Sequence, residues 1–352
     1  MPPAVLIVPG RLDTPTGGYG YDRRIVSGLT ALGWNVRVEE LDDSFPEPTS
    51  AARAQAAAAF ERIADGTPVL VDGLAFGVLA EEAAPHAGRL PLVALVHHPL
   101  ARETGIDAGR ADRLRISERR ALSLAEAVVV TSRATGALLP DYGVDARRVC
   151  VIEPGTDAAP LAQGSGGPEV HLLCVATLIP RKGHAVLLRA LARLTAAGTT
   201  GWRLTCVGSL ARDEWTAARL HAQADEDGLT TRVTFAGEME TTALAAYYAA
   251  ADVFVLPTFF EGYGMAVAEA LARGLPVIAT DTGGIGDLVG NDAGVLVPAG
   301  DVGALSAALE RVISDADARN QLAAGARQAR ERLPTWEDAA ASMANVLERA
   351  AR

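Results

Sequence analysis

Short, unbroken apolar runs separated by longer segments of helical period constrain this chain more than any other feature. The runs are Val5–Val8, Val36–Val38, Val69–Val71, Leu92–Val96, Val128–Val130, Val149–Ile152, Leu172–Ala176, Arg203–Val207, Val233–Phe235, Val253–Leu256, Val277–Ala279 and Val295–Val297. A strand with one wet face alternates apolar and polar residues. Most of these runs do not, so they read as strands covered on both faces. Such strands, alternating with helices, imply parallel sheets in an α/β architecture. Twelve strands are too many for one comfortable doubly wound sheet, and 352 residues suit about two domains. Between the two strand-helix series lies a Gly/Pro/Ser-rich stretch, 158–168, within Asp157–Glu169. The expected organisation is therefore two Rossmann-like doubly wound domains, over 1–157 and 158–335, hinged at that stretch. A last helix over about 336–352 is expected to pack back onto the first domain. Ligands of such sheets bind outside the carboxyl ends of the strands. Two domains facing each other would put the site in the cleft between them.

Charge and cysteine content narrow the function. A net charge of −11 argues against non-specific nucleic-acid binding. Cys150, Cys174 and Cys206 each sit in or beside an apolar run, as reduced buried thiols do, without CxxC spacing. The N-terminus Met1-Pro2-Pro3-Ala4 carries no basic side chain, and its apolar run is too short for a signal peptide. No stretch approaches the roughly 18 apolar residues of a membrane span. A soluble, cytoplasmic protein is expected. The segment Arg110–Arg120 reads as an exposed amphipathic helix, with Asp112 and Glu118 among its arginines. Leu114 and Ile116 give it little depth for peripheral contact with an anionic membrane.

Lys182 is the only lysine, since every other basic residue among the 32 Lys+Arg is arginine. A compact, freely aimed ammonium is thus kept where guanidinium is a poor replacement. Arg181-Lys182-Gly183 follows the strand Leu172–Ala176 and its loop Thr177–Pro180, and opens a helix marked by Val186, Leu187, Leu188, Ala190 and Leu191. Two cations at a strand's carboxyl end beside a helix start form a phosphate site.

The stretch Phe259–Gly274 follows the strand Val253–Leu256. Gly262 and Gly264 allow a tight turn and close backbone approach to a ligand. A helix from about Met265 to Arg273 would end at Gly274, with its first amides open to an anion. Glu261 precedes that helix and Glu269 lies on its second turn, so each could grip a hydroxyl pair of a sugar or ribose.

In the first half, Thr16-Gly17-Gly18-Tyr19-Gly20 follows the first strand. A dinucleotide fingerprint would need a third glycine at position 23, which is Arg23, although Glu39 or Glu40 lies near the expected acidic position. His97 and His98 end the strand Leu92–Val96. His97 is preferred for a role in the cleft because it directly follows the strand. His86, His171, His184 and His221 read as peripheral to the chemistry. Asp225-Glu226-Asp227 and Asp315-Ala316-Asp317 have Asp-x-Asp spacing but lie in polar helical or loop stretches, so they read as solvated faces.

Taken together, the chain resembles a retaining GT-B glycosyltransferase of family 4. The residues that carry the likeness are the Glu261/Glu269 pair, Arg181-Lys182-Gly183, Val207-Gly208-Ser209, Ala251–Pro257 and Pro154–Asp157. The resemblance implies a nucleotide-sugar donor, a UDP-sugar ahead of a GDP-sugar, held mainly by the second domain. It assigns Arg181 and Lys182 to the diphosphate and Glu269 to the ribose. Glu261 and the Gly262-Tyr263-Gly264-Met265 backbone go to sugar and phosphate. Gly208 and Ser209 join the donor site, Glu238 and Met239 lie near the base, and Gly17 and Gly18 belong to a glycine loop over the phosphates. It implies transfer of a hexose-type sugar to a hydroxyl of a small-molecule, saccharide or lipid-linked acceptor that approaches from the first domain. His97 would position sugar or acceptor, and the leaving phosphate would take the acceptor's proton on the same face. No cofactor and no metal are expected, because cations replace a divalent ion at the diphosphate. The rivals are a nucleotide-sugar epimerase, which would turn donor over without acceptor, and a binding subunit without turnover.

Overall fold

The structure, a computed structural model, describes residues 1–352. All the apolar runs named above are strands: β1 (Pro3–Pro9), β2 (Asn35–Leu41), β3 (Val69–Asp72), β4 (Leu92–Val96), β5 (Ala127–Val130), β6 (Val149–Val151), β7 (Val170–Val175), β8 (Trp202–Val207), β9 (Val233–Gly237), β10 (Val253–Leu256), β11 (Val277–Thr280) and β12 (Gly294–Val297). The helices between them are α1 (Gly17–Ala31), α2 (Ser50–Glu61), α3 (Gly73–Phe76), α4 (Ala80–Ala83), α5 (Ala108–Ser123), α6 (Arg133–Leu138), α7 (His184–Ala196), α8 (Glu214–Glu226), α9 (Thr241–Ala250), α10 (Met265–Ala272), α11 (Ile285–Val289), α12 (Val302–Ser314), α13 (Ala316–Arg330) and α14 (Trp336–Ala350). None is long and apolar enough to cross a membrane.

The chain forms two compact units, Met1–Gly155 with Pro334–Arg352, and Thr156–Leu333. Each holds one six-stranded sheet, ordered β2-β1-β3-β4-β5-β6 in the first and β12-β11-β10-β7-β8-β9 in the second. Every pairing is parallel. The order reverses between β1 and β3 in the first unit and between β7 and β10 in the second. At such switch points adjacent loops leave in opposite directions and open a crevice at the carboxyl ends of the strands.

In the first unit the sheet separates two cores. One contains α2, whose Ala52, Ala56, Ala59 and Phe60 are buried. The other gathers Leu6, Tyr21, Ile25, Leu29, Val93 and Val129 with Met343 and Leu347 of α14. The last helix thus closes the core of the unit that begins the chain. It can lie close because Gly28 meets Ala340, where a Cβ on Gly28 would come within 2.4 Å of the Ala340 Cβ. In the second unit one core wraps the sheet, with Trp202, Tyr248 and Phe254 fully buried. The Gly/Pro/Ser-rich stretch lies along this unit: Ala162 N–H donates to Arg273 O (2.8 Å) and Gln163 N–H to Ala249 O (2.8 Å). Ser165 N–H bonds the Asp252 carboxylate at 3.1 Å.

One sequence expectation needs correction. Glu118 on α5 does not belong to a solvated face. It is 3% exposed, and its carboxylate accepts the Leu100 and Ala101 amides at 2.7 and 3.2 Å. Burial pushes its pKa up to about 7 against the pull of those two amides. His184 is buried, with Nε2 3.7 Å from the Cys174 sulfur. Cys174 pairs in register with Cys206 across β7 and β8, and a ligand atom from each of the three lies within 4.8 Å of the others. Asp225 and Asp227 fall at the exposed end of α8, and Asp315 caps α13 through the Ala318 amide at 2.9 Å.

Met343 tests how far the first unit depends on α14. Its side chain is fully buried, so Met343→Asp should destabilise the unit by about 4 kcal/mol or more through an unpaired buried charge. Met343→Leu should cost less than about 1.5 kcal/mol, because volume and polarity are kept. Urea unfolding of both variants, followed by circular dichroism, checks the contrast.

Candidate active site

At the switch point of the second unit, the loop after β7 meets the loop after β10. Residues 180–182 form a single tight turn, and Gly183, with φ +73°, starts α7. No other residue fits there, since a Cβ would lie 1.9 Å from Pro257 O. The two loops are bonded directly: Phe259 N–H and the Thr258 hydroxyl both donate to Arg181 O, at 2.7 and 3.0 Å. Arg181 returns a bond from Nη1 to Phe260 O at 2.8 Å.

This stitching brings the expected cations onto Glu261. Lys182 Nζ forms an ion pair with Glu261 Oε1, and Arg181 Nη1 lies 3.9 Å from the same oxygen. The three side chains are only 12–18% exposed. An ammonium has three donors. The bond to Glu261 aims Lys182 and leaves it further donors for an anion. Behind Glu261, Gly283 (φ +56°) approaches so closely that a Cβ would sit 1.5 Å from Glu261 O.

Gly264, in the left-handed region at φ +104°, is the N-cap residue of α10 and supplies no side-chain bond to it. The first amides of an eight-residue helix, beginning at Met265, therefore point outward beside the cations. Gly262 and Tyr263 lie in the turn that precedes it. The helix ends as expected, with Gly274 left-handed at φ +69°.

Glu269 is set apart from this cluster. Its Oε2 accepts from the Tyr248 hydroxyl at 3.0 Å. Burial pushes its pKa up, against the Tyr248 bond and Arg273, which pull it down. Tyr248 itself is fully buried and is pushed well up by desolvation and by Glu269. Sequence reading missed Tyr248. Its only signal is an aromatic hydroxyl in the apolar stretch before β10. Gly208 follows β8 and passes so near Ala176 O that a Cβ would come within 2.1 Å. Ser209 O accepts the Leu178 amide at 3.1 Å, which ties this loop to the one after β7. Glu238, exposed, and Met239, half-buried, follow β9 at the sheet's edge.

The first unit assembles its own cluster at the carboxyl ends of β1, β3 and β4. The glycines at 17, 18 and 20 are not a free loop. They form the first turn of α1, capped by the Thr16 hydroxyl, which accepts the Tyr19 amide. Gly18 allows the His97 ring close to the helix, with Cδ2 3.4 Å from where a Cβ would be. His97 Nε2 faces two carboxylates, Asp22 Oδ1 and Asp72 Oδ2, each at 3.4 Å. Tyr21 packs edge-on against the imidazole, with ring centroids 5.4 Å apart.

Burial alone would lower the His97 pKa, but Asp22 and Asp72 outweigh it and raise the value to about 10. Burial lifts Asp22 to about 6, against the pull of His97. Sequence reading named neither aspartate. Asp72 ends an apolar strand with a charge, and Asp22 shares the buried face of α1 with Ile25 and Leu29 at helical spacing. Those are the signals that could have found them. His98 does not join the group; its Nε2 lies 3.3 Å from Glu103.

Family models match most of the chain. Residues 162–329 match the glycosyl transferases group 1, and residues 23–159 match Glycosyltransferase Family 4. A D-inositol 3-phosphate glycosyltransferase of Xylanimonas cellulosilytica is 32% identical over 255 residues, 67% of this chain and 60% of that protein. An MMP alpha-(1->4)-mannosyltransferase of Mycolicibacterium hassiacum is 27% identical over 276 residues, 74% of this chain and 66% of that protein. The chain thus spans less than two thirds of the length of these curated relatives. Among solved structures, the sucrose-phosphate synthase of Thermosynechococcus elongatus superposes with a TM-score of 0.83 at 22% identity, covering 99% of both chains. Anabaena HepE in complex with UDP-glucose superposes with a TM-score of 0.79 at 19% identity, also over 99% of both. With both six-stranded sheets accounted for and matches reaching from residue 23 to residue 329, the chain belongs to the group 1 glycosyl transferases of family 4, on the GT-B fold.

Proposed function

We propose that this protein transfers a hexose-type sugar from a nucleoside diphosphate donor to an acceptor hydroxyl with retention of configuration. The observation that carries this reading is the convergence of Arg181, Lys182 and Glu261 beside the uncapped start of α10, at the switch point of the second sheet. Two cations and a row of outward amides match a diphosphate in charge and geometry. Glu261 meets the sugar hydroxyls next to that diphosphate. Glu269, fixed through one oxygen by Tyr248, turns the other to the ribose. A UDP-sugar is the favoured donor, supported by the fold likeness to HepE, which has been solved with UDP-glucose.

In the transfer, the bond from the anomeric carbon to the phosphate oxygen breaks and a bond to the acceptor oxygen forms on the same face. The leaving phosphate accepts the acceptor's proton. Negative charge grows on the diphosphate, and Arg181, Lys182 and the amides at Gly264–Met265 are already oriented to receive it. Preorganised donors of this kind are typically worth about 10²–10³ in rate each. Because side chains and amides neutralise the leaving group, that step calls for no divalent ion at the diphosphate. His97, paired with two carboxylates, is suited to hold a sugar or acceptor rather than to act as a base.

Lys182→Ala should therefore lower kcat by about 10²-fold or more while the melting temperature stays near wild type. Lys182→Arg should restore only part, since guanidinium cannot copy the ammonium's aim at Glu261. Steady-state kinetics with UDP-glucose and a panel of acceptors, read as UDP release, checks this. Turnover by Lys182→Ala at the wild-type rate would exclude the diphosphate role.

The two glutamates should separate in binding. Glu269→Gln should weaken free UDP by about 1–3 kcal/mol, because a charge-assisted acceptor is lost. Glu261→Gln should leave UDP affinity nearly unchanged while lowering kcat and blurring the choice between donor sugars. Calorimetric titration of both variants decides; equal losses, or the reverse order, would contradict the assignment.

A further inference from the structure

A half-buried carboxylate recognises a hydroxyl well only when it is ionised and aimed. Glu269 on α10 is half-buried, and desolvation works against its charge. Two groups oppose that cost: the Tyr248 hydroxyl, through its hydrogen bond, and the Arg273 guanidinium, through its charge. Neither belongs to the loops around the diphosphate site. Tyr248 lies on α9, and Arg273 is the residue that closes α10.

Tyr248 is held as a fixed donor. It is fully buried. The Arg273 guanidinium lies over its ring, 4.4 Å from the centroid, and the Phe254 ring of β10 stacks with it at 6.0 Å and 20°. With the ring held, the hydroxyl has two acceptors, Glu269 Oε2 at 3.0 Å and Ala266 O at 3.3 Å. A phenol has one proton to give. The shorter, charge-assisted bond to the carboxylate is the stronger of the two. Packing against Phe254 and Arg273 needs only the ring, so the hydroxyl is kept for what it bonds.

Arg273 adds a second hold. Its Nη1 donates to Glu269 O at 2.8 Å, one turn back along α10. The guanidinium thus ties the ring of Tyr248 and the backbone of Glu269 into one unit. These bonds fall on Oε2 and on the main chain, which leaves Oε1 and its lone pairs for a ligand. The two vicinal hydroxyls of a ribose can both donate to an oxygen presented in this way. A deoxyribose can donate only once. A site built to bond a hydroxyl penalises the analogue that lacks it, because the charged acceptor is left short of a donor.

We propose, resting on the ribose role of Glu269, that Tyr248 and Arg273 are positioning residues that aim Glu269 Oε1 at the ribose and make the protein select ribonucleoside over 2′-deoxyribonucleoside diphosphate donors. Selection of the donor's sugar-phosphate class is then set where α9 meets α10, behind the carboxylate rather than at the cations.

Calorimetric titration of the full chain with UDP and with 2′-deoxy-UDP reads this as a ratio of Kd values. Wild type should favour UDP by about tenfold or more. Tyr248→Phe keeps the ring and removes only the donor. It should weaken UDP by about tenfold and 2′-deoxy-UDP by less than about threefold, so the ratio falls to about three or below. Arg273→Gln should lower the ratio in the same direction by a smaller factor. Its side chain is half-buried, so it reports even where Tyr248→Phe fails to fold. A merely structural tyrosine would weaken both nucleotides equally; a ratio unchanged in Tyr248→Phe, or in Arg273→Gln where the first does not fold, would overturn the proposal. Equal affinity of wild type for the two nucleotides would overturn it as well. Glu269→Gln distinguishes the two levels. If it alone collapses the ratio, the positioning roles fail and the ribose role stands; if it leaves the ratio unmoved, the ribose role itself fails. Should UDP not bind, GDP and ADP with their 2′-deoxy forms take its place, and binding of none of them would overturn both.

Discussion

The parallel pairing of β7 with β10 is the constraint on which the second unit's site depends. The strands are far apart in the chain, yet Leu172 and Leu173 lie opposite Val253 and Phe254. Their following loops therefore emerge side by side. Lys182 and Glu261, 79 residues apart, can then form an ion pair. The contact tolerates no side chain at Gly183, because the backbone of Pro257 occupies the space a Cβ would need. An apolar sheet, covered on both faces, thus fixes the position of two charged groups more rigidly than loop contacts alone could.

The first unit repeats this logic with different chemistry. Its switch point lies between β1 and β3, and there it gathers two carboxylates and an imidazole instead of two cations and a glutamate. Both clusters have buried or nearly buried charges paired with opposite charges, which is what low dielectric surroundings demand. They differ in what is left over. In the second unit the surplus is positive and next to open amides, which suits a diphosphate. In the first a single imidazole sits between two carboxylates, which raise its pKa to about 10.

Much of this was legible in the residues. Apolar continuity located all the strands, since a buried parallel strand needs no partner to declare itself. The lone lysine, the Gly-rich turn before α10 and the left-handed Gly274 marked the loops that meet at the second switch point, because ammonium, tight turns and positive φ restrict residue choice locally. Asp22, Asp72 and Tyr248 were not marked. Each is an ordinary residue at an ordinary helix or strand position, and its importance comes from what lies opposite. Glu118 was misread for the same reason: its place among arginines suggested water, while its carboxylate turns inward to two amides.

The sequence alone determined the fold class, the number of strands, the two-sheet organisation and the two loops, after β7 and β10, that carry Arg181, Lys182 and Glu261. These follow from periodicity and from the stereochemistry of single residues. Tertiary structure alone decided which charges meet. It paired Lys182 with Glu261 and Tyr248 with Glu269, and brought Asp22 and Asp72 to His97. It also placed Cys174 and Cys206 in register beside His184. The physical reason is that strand order, rather than distance along the chain, sets which carboxyl-end loops become neighbours. Strand order is fixed only when whole apolar faces pack together.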